Sequence, residues 1–169
     1  MSKYILIIFF TLITISCKQD IIIPSDKELI SQFKENEDLY EKLKLIIINA
    51  NVFRIEKFQT SKGAKWFVHP EVGENVYNKL ISNIEKIQYL NIITSSQKKS
   101  AIQINFPIFR SGVSIGGQVK GVAFVTNIRG FTVLNDLDNL LEKKFDLLSN
   151  QTYLKHIDGN WYLYFYYDD

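Results

Sequence analysis

One cysteine, three prolines, eight glycines and a formal net charge of +2 in 169 residues leave the chain poor in most of what marks a specialised sequence. A single cysteine excludes a disulfide scaffold. So few glycines and prolines exclude collagen-like and low-complexity chains, and a hydrophobic share of 46% with so small a charge excludes a disordered one. Basic and acidic residues are scattered along the chain without forming a concentrated basic surface, so no nucleic-acid partner is expected. What is present is the composition of an ordinary globular protein with an enlarged aromatic share of 14%, in a length that suits one domain.

The N-terminus has three regions. Lys3 supplies a positive charge, Tyr4 to Ile15 an apolar run of twelve, and Ser16 a small residue before Cys17. This is the layout of a secretory signal, and the run is too short for a spanning helix of about 20 apolar residues. Ser16-Cys17 resembles the lipobox of bacterial lipoproteins. There the cysteine is lipidated on sulfur, becomes the first residue after cleavage and is acylated on its new amine. Thr14 and Ile15 depart from the commonest pattern, whereas Ser16 fits it. The resemblance implies a signal peptide over 1–16, a lipidated tether over 17–24, and an exported protein held to a membrane by Cys17. Lys18, in place of the aspartate that retains such proteins at the inner membrane, points to the outer membrane of a Gram-negative cell, on its periplasmic face or its surface. Only Lys3 of the 20 basic residues lies in the first 16, so 19 basic side chains would face 18 acidic ones in the mature chain. That chain would also be free of thiols.

Beyond the tether, residues 25–169 read as one α+β domain. Two amphipathic helices in the N-terminal half are expected to pack on a mainly antiparallel sheet that ends in a C-terminal β-hairpin. Ser25 and Glu28 have capping-box spacing, and Leu29, Phe33, Tyr40, Leu43 and Ile47 mark one face of a helix over 26–48. Val52 to Phe58, turn residues Thr60 to Gly63 and the run Trp66-Phe67-Val68 predict a hairpin. Pro70 suits a first helical turn, and Val72, Val76, Leu80, Ile84 and Ile87 predict a second helix over 71–90. The polar stretch Thr94 to Ser100 reads as a linker. Ile102, Ile104, Phe106 and Ile108 alternate with polar residues and Pro107, as in a strand near a sheet edge. Strands are expected around 113–126 and 131–134, with a short helix within 136–148. The last hairpin turns at Asp158-Gly159-Asn160; a two-residue loop would put Thr152, Leu154 and His156 on the face of Trp161, Leu163 and Phe165.

Tyr162, Tyr164 and Tyr166 alternate along the final strand and form the best candidate binding face, for a protein or a glycan. Such a row also serves packing beneath a helix, since aromatics favour strands in any case. The glycines Gly112, Gly116, Gly117 and Gly121 lack the Gly-Lys-Ser/Thr order and the following helix of a phosphate loop, and they read as bends or bulges. His69 and His156 have no second ligand at metal spacing, and no catalytic residue, metal or cofactor is assigned. Ser114-Ile115-Gly116-Gly117 with Lys120-Gly121, and Gly159 to Tyr164, resemble the tail of small bacterial lipoproteins of unassigned function. That resemblance implies an exported domain and no mechanism. Three functions compete: a non-enzymatic envelope lipoprotein that binds a protein or envelope component, an immunity or inhibitor lipoprotein against an exported toxin or hydrolase, and an envelope hydrolase. The last is disfavoured because the sequence lacks a catalytic motif.

Overall fold

The computed structural model describes residues 22–61, 63–87, 92–98, 101–111, 117–142 and 151–168, of which the side chains of 141, 142 and 168 are not described. The expected signal peptide over 1–16, Cys17 and most of the expected tether lie outside these residues. The chain runs α1 (Asp26–Glu35), α2 (Glu37–Asn49), β1 (Arg54–Thr60), β2 (Gly63–His69), α3 (Glu74–Ile84), β3 (Ile92–Lys98), β4 (Ala101–Ser111), β5 (Gly117–Val125), β6 (Thr132–Val133), α4 (Asp138–Glu142), β7 (Gln151–Asp158) and β8 (Trp161–Asp168). All eight strands belong to one sheet, in the order β2-β1-β3-β4-β5-β8-β7-β6. Every pairing is antiparallel except β6 with β7.

The capping box forms as its spacing predicts. The Glu28 amide donates to Ser25 Oγ at 3.3 Å, and the Ser25 amide donates to the Glu28 carboxylate at 2.7 Å. The single helix expected over 26–48 is two helices, broken at Asn36. There the backbone leaves helical geometry (φ −121°, ψ 15°) and the Asn36 side chain donates to the Gln32 carbonyl at 2.9 Å. Asparagine offers its own amide in competition with the helix ladder, and the seven-residue step from Phe33 to Tyr40 keeps the apolar face in register across the break. Leu29, Phe33, Tyr40, Leu43 and Ile47 are all in the core.

The β1–β2 hairpin pairs Thr60 with Gly63, as the turn residues predict. The next helix begins at Glu74, with Gly73 as its N-cap and a cis His69–Pro70 peptide upstream, so Pro70 lies outside its first turn. Thr94 to Lys98, expected as a linker, belong to interior strand β3 between β1 and β4. Polar side chains are tolerated there because they have partners. Ser95 Oγ donates to the Val52 carbonyl at 2.6 Å, and Gln97 Nε2 donates at 3.1 Å to the Ile47 carbonyl, which also accepts from the Val52 amide at 3.0 Å. Pro107 likewise lies in the sheet interior, where β4 shifts register between Pro107 and Phe109, and the bulge relieves it of a ladder hydrogen bond.

Helices cover one face of the sheet. Phe33 and Tyr40 from α1 and α2 meet Phe106 and Trp161 from the strands with ring centroids 5.1–5.8 Å apart, and Trp161 in turn meets Phe124 at 5.2 Å. The buried indole of Trp161 donates to Glu41 at 2.6 Å. The C-terminal hairpin has its two-residue turn at Gly159-Asn160, but the register slips by one between His156 and Asp158. That bulge reverses the expected parity: Thr152, Leu154 and His156 pair with Tyr166, Tyr164 and Tyr162 and share their face, away from Trp161, Leu163 and Phe165.

Candidate functional site

Two polar constellations stand out, one on each face of the sheet. On the helix side Lys120 of β5 is completely buried. Its ammonium lies 2.8 Å from Asp26 Oδ1 and 2.6 Å from Asp138 Oδ1, and donates to the Pro24 carbonyl at 3.0 Å. Lys155 of β7 reaches the other oxygen of Asp26 at 2.9 Å, where the Leu137 amide also donates at 2.8 Å. The Asp26 amide in turn donates to both oxygens of Asp138 at 3.0 Å. Burial opposes ionisation of Asp26, but the bonds from Lys120, Leu137 and Lys155 outweigh it and hold the carboxyl below its ordinary value.

Asp26, Asp136 and Asp138 bring carboxylate oxygens close enough together to suggest a metal site. The lysine ammonium sits against two of those carboxylates, and Asp136 spends its oxygens on the amides of Asp138 and Asn139. The donor set is therefore satisfied by the chain's own cation and amides, and it fits an internal ion network better than a divalent ion.

The outer face carries the tyrosines, arranged in rungs across neighbouring strands. One rung runs Thr94, Asn105, Ala123, Tyr162, His156; the next Pro107, Gly121, Tyr164, Leu154; the third Val119, Tyr166, Thr152. Gly121 and Ala123, the smallest residues, occupy the middle strand. Gly121 is required there because a Cβ would stand 2.3 Å from the Phe106 carbonyl oxygen and 2.9 Å from the Pro107 Cα. This is the role in a bulge that its place in a glycine-rich strand suggests. Low relief at β5 leaves a cleft of about 310 Å³ between an amide wall on β3 and β4 (Thr94, Gln103, Asn105) and a tyrosine wall on β8 (Tyr164, Tyr166).

Tyr162 and Tyr164 are only 8% and 5% exposed, and Tyr166 is half-buried. Tyr162 packs with Ala123, Val125 and Leu154, and its ring meets His156 at 5.4 Å. The row therefore contributes to packing, and only its Tyr164–Tyr166 end lines the cleft. Burial drives the Tyr164 phenol well above its ordinary range, and its hydroxyl makes no hydrogen bond among the described residues. On the opposite wall Gln103 Nε2 donates to Asn105 Oδ1 at 3.0 Å and Asn105 Nδ2 to Thr94 Oγ1 at 3.3 Å.

The two histidines are not brought together. His69 ends β2, with Phe53 packed edge-on at 4.4 Å, whereas His156 is on β7 with its Nε2 3.1 Å from the Gly159 carbonyl oxygen. His69 and Glu71 line one cavity of about 380 Å³ with Trp66 and Tyr77, but no hydrogen bond joins them among the described residues. Glu37 and Asp158 hold Lys34 at 3.1 and 2.9 Å.

The sequence missed Lys120, Asp26, Gln103, Asn105 and Thr94 as site residues. A lysine enclosed by Val119 and Gly121-Val122-Ala123-Phe124-Val125 was the available signal for the buried ion pair. For the amide wall it was the polar half of the alternation in β4. Comparison of the chain with protein-family models, with curated proteins and with solved structures gives no match.

Proposed function

We infer that this is an exported envelope lipoprotein of non-enzymatic type, held to a membrane through lipid on Cys17, whose sheet face opposite the described helices binds another envelope component. Support for the anchor comes from the sequence: Lys3, the apolar run and Cys17 directly after Ser16. Among the described residues no helix is long and apolar enough to cross a membrane. The single observation that carries the binding role is the outer cleft, where the Tyr164 hydroxyl, without a hydrogen bond among the described residues, faces a wall of amides on the side of the sheet opposite the described helices.

The test joins both parts of the proposal. Wild-type protein expressed in its own envelope should incorporate labelled fatty acid and fractionate with membranes, and Cys17→Ser should do neither. Crosslinking the lipidated protein through a photoreactive group at Tyr166 should yield one defined envelope adduct. Absence of label sinks the anchor, and absence of any adduct sinks the binding role.

A second reading, an immunity or inhibitor protein, draws on a different part of the same face. Phe58 and Phe67 stand 45% and 49% exposed on β1 and β2, with ring centroids 5.2 Å apart, and exposed aromatics of this kind suit docking onto a protein. Recovery of one stoichiometric enzyme, lost in Phe67→Ser and retained in Tyr164→Phe, is the result this reading requires.

A further inference from the structure

We propose that the outer cleft is a binding site for a neutral carbohydrate, a site for one terminal sugar residue of a glycan. This deepens the binding role inferred above and rests on it only for its biological setting, since the chemistry is carried by the cleft.

Charge comes first. Thr94, Gln103, Asn105, Pro107, Val119, Thr152, Tyr164 and Tyr166 line the cleft, and none of them is ionised near neutral pH. A phosphate, carboxylate or ammonium ligand would have to give up its hydration there with no opposite charge to compensate, at a cost that polar contacts alone do not offset. An uncharged ligand has no such cost.

Hydrogen bonding narrows the class. The amide chain runs in one direction, from Gln103 through Asn105 to Thr94. Each link commits one donor and one acceptor, which leaves the Gln103 carbonyl oxygen as a free acceptor at one end and the Thr94 hydroxyl proton as a free donor at the other, among the described residues. Across the cleft the Tyr164 hydroxyl, able to donate and accept, is without a partner. It opens into the cleft, where a ligand hydroxyl can take the place of water. A ligand that fits must present several groups that both donate and accept, spaced around a small rigid body, and the vicinal hydroxyls of a sugar ring do this. A purely apolar ligand would leave these groups unpaired.

Shape and surface agree. The Tyr164 and Tyr166 side chains with Pro107 and Val119 supply apolar surface for the C–H face of a pyranose. The volume of about 310 Å³ lies at the small end of ligand clefts, enough for one sugar residue with the remainder of a glycan outside. The amide wall is also pre-ordered by its internal bonds, so little side-chain entropy is lost on binding.

The experiment uses the full chain in a non-glycosidic detergent, with maltotriose, cellotriose and N,N′,N″-triacetylchitotriose as probes, read by saturation-transfer NMR and calorimetric titration. At least one probe should bind with a millimolar or tighter Kd. Tyr164→Phe, which keeps the ring and removes the hydroxyl, should weaken it roughly 5- to 10-fold. Gln103→Ala should weaken it to a similar degree, and it provides the decisive variant should Tyr164→Phe fail to fold by circular dichroism. Phe67→Ser, far along the same face, should bind as wild type does. No binding by any of the three probes overturns the proposal, as does binding that neither cleft variant weakens. An envelope adduct without sugar binding overturns it while leaving the inferred function intact. Sugar binding by a protein that takes up no fatty acid does the reverse.

Discussion

Lys120 and Asp26 show how a single sequence position can mislead. A lysine beside a glycine invites a phosphate-loop interpretation, yet its ammonium is sealed beneath the helices between Asp26 and Asp138. Removing one partner from such a network costs more than the network contributes, because the survivor is left charged and buried. Lys120→Met should therefore destabilise the protein by about 3 kcal/mol, measured by urea titration. Asp26→Asn combined with Lys120→Met should recover much of that loss; a double variant less stable than either single one would contradict this account. The pH dependence has a definite sign. The folded-state pKa of Asp26 is depressed below its ordinary value of 3.8, despite burial, by the bonds from Lys120, Leu137 and Lys155. Its contribution is therefore complete above that value and lost as pH falls through the depressed one. Glu28, Glu41, Glu56 and Asp158 are depressed as well, so wild-type stability alone does not isolate Asp26. The difference in Tm between wild type and Asp26→Asn does: it should be largest near neutral pH and shrink as the medium is taken below pH 3.8.

Among the elements, the two bulges do the most to shape the outer face. At the first, Gly121 lets β5 pass close to the kink at Pro107, and it lowers the floor of the cleft. Gly121→Ala puts a methyl group against backbone atoms that cannot rotate away. The expected cost is about 3 kcal/mol, and the corresponding fall in Tm roughly 6–12 °C by calorimetry. A fall within 1–2 °C would mean that the strands adjust freely there, roughly the effect of a neutral surface change. The second bulge, between His156 and Asp158, has no sequence signal, because the turn residues Gly159-Asn160 suit a tight loop with or without it. For this reason the Tyr row was legible as a row but the partners on its face were not. Periodicity was informative wherever one face is wholly apolar, as in α2, β4 and β8. It failed for β3, whose Ser95 and Gln97 are polar yet face inward to satisfy the carbonyls of Val52 and Ile47. A polar residue with a distant backbone partner looks, in sequence, the same as one in solvent. The amide wall was hidden similarly: Gln103 and Asn105 were legible as the non-core half of a strand, but their meeting with Tyr164 and Tyr166 depends on β5 lying between them.

For the whole molecule the decisive feature is that the described helices cover one face of the sheet, and Pro24 lies on that same side. Pro24, immediately before α1, gives its carbonyl to Lys120 at 3.0 Å, and Lys120 faces the helices. The proposed anchor also makes a prediction about forces. With 19 basic against 18 acidic side chains after residue 16, a chain cleaved there as proposed would carry almost no net charge, so electrostatic adsorption to an anionic surface, about 1 kcal/mol for each clustered basic residue, has little to work with. Acyl chains act through burial of methylenes, which salt does not screen, and two or more hold durably. Washing wild-type membranes in about 1 M salt, where the Debye length is about 3 Å, should leave the protein in the pellet, and detergent should release it. Cys17→Ser should appear in the soluble fraction at low salt, without any wash. Wild-type protein that is released by salt alone would show that charge and not lipid holds it, and the cysteine at position 17 would then need another explanation.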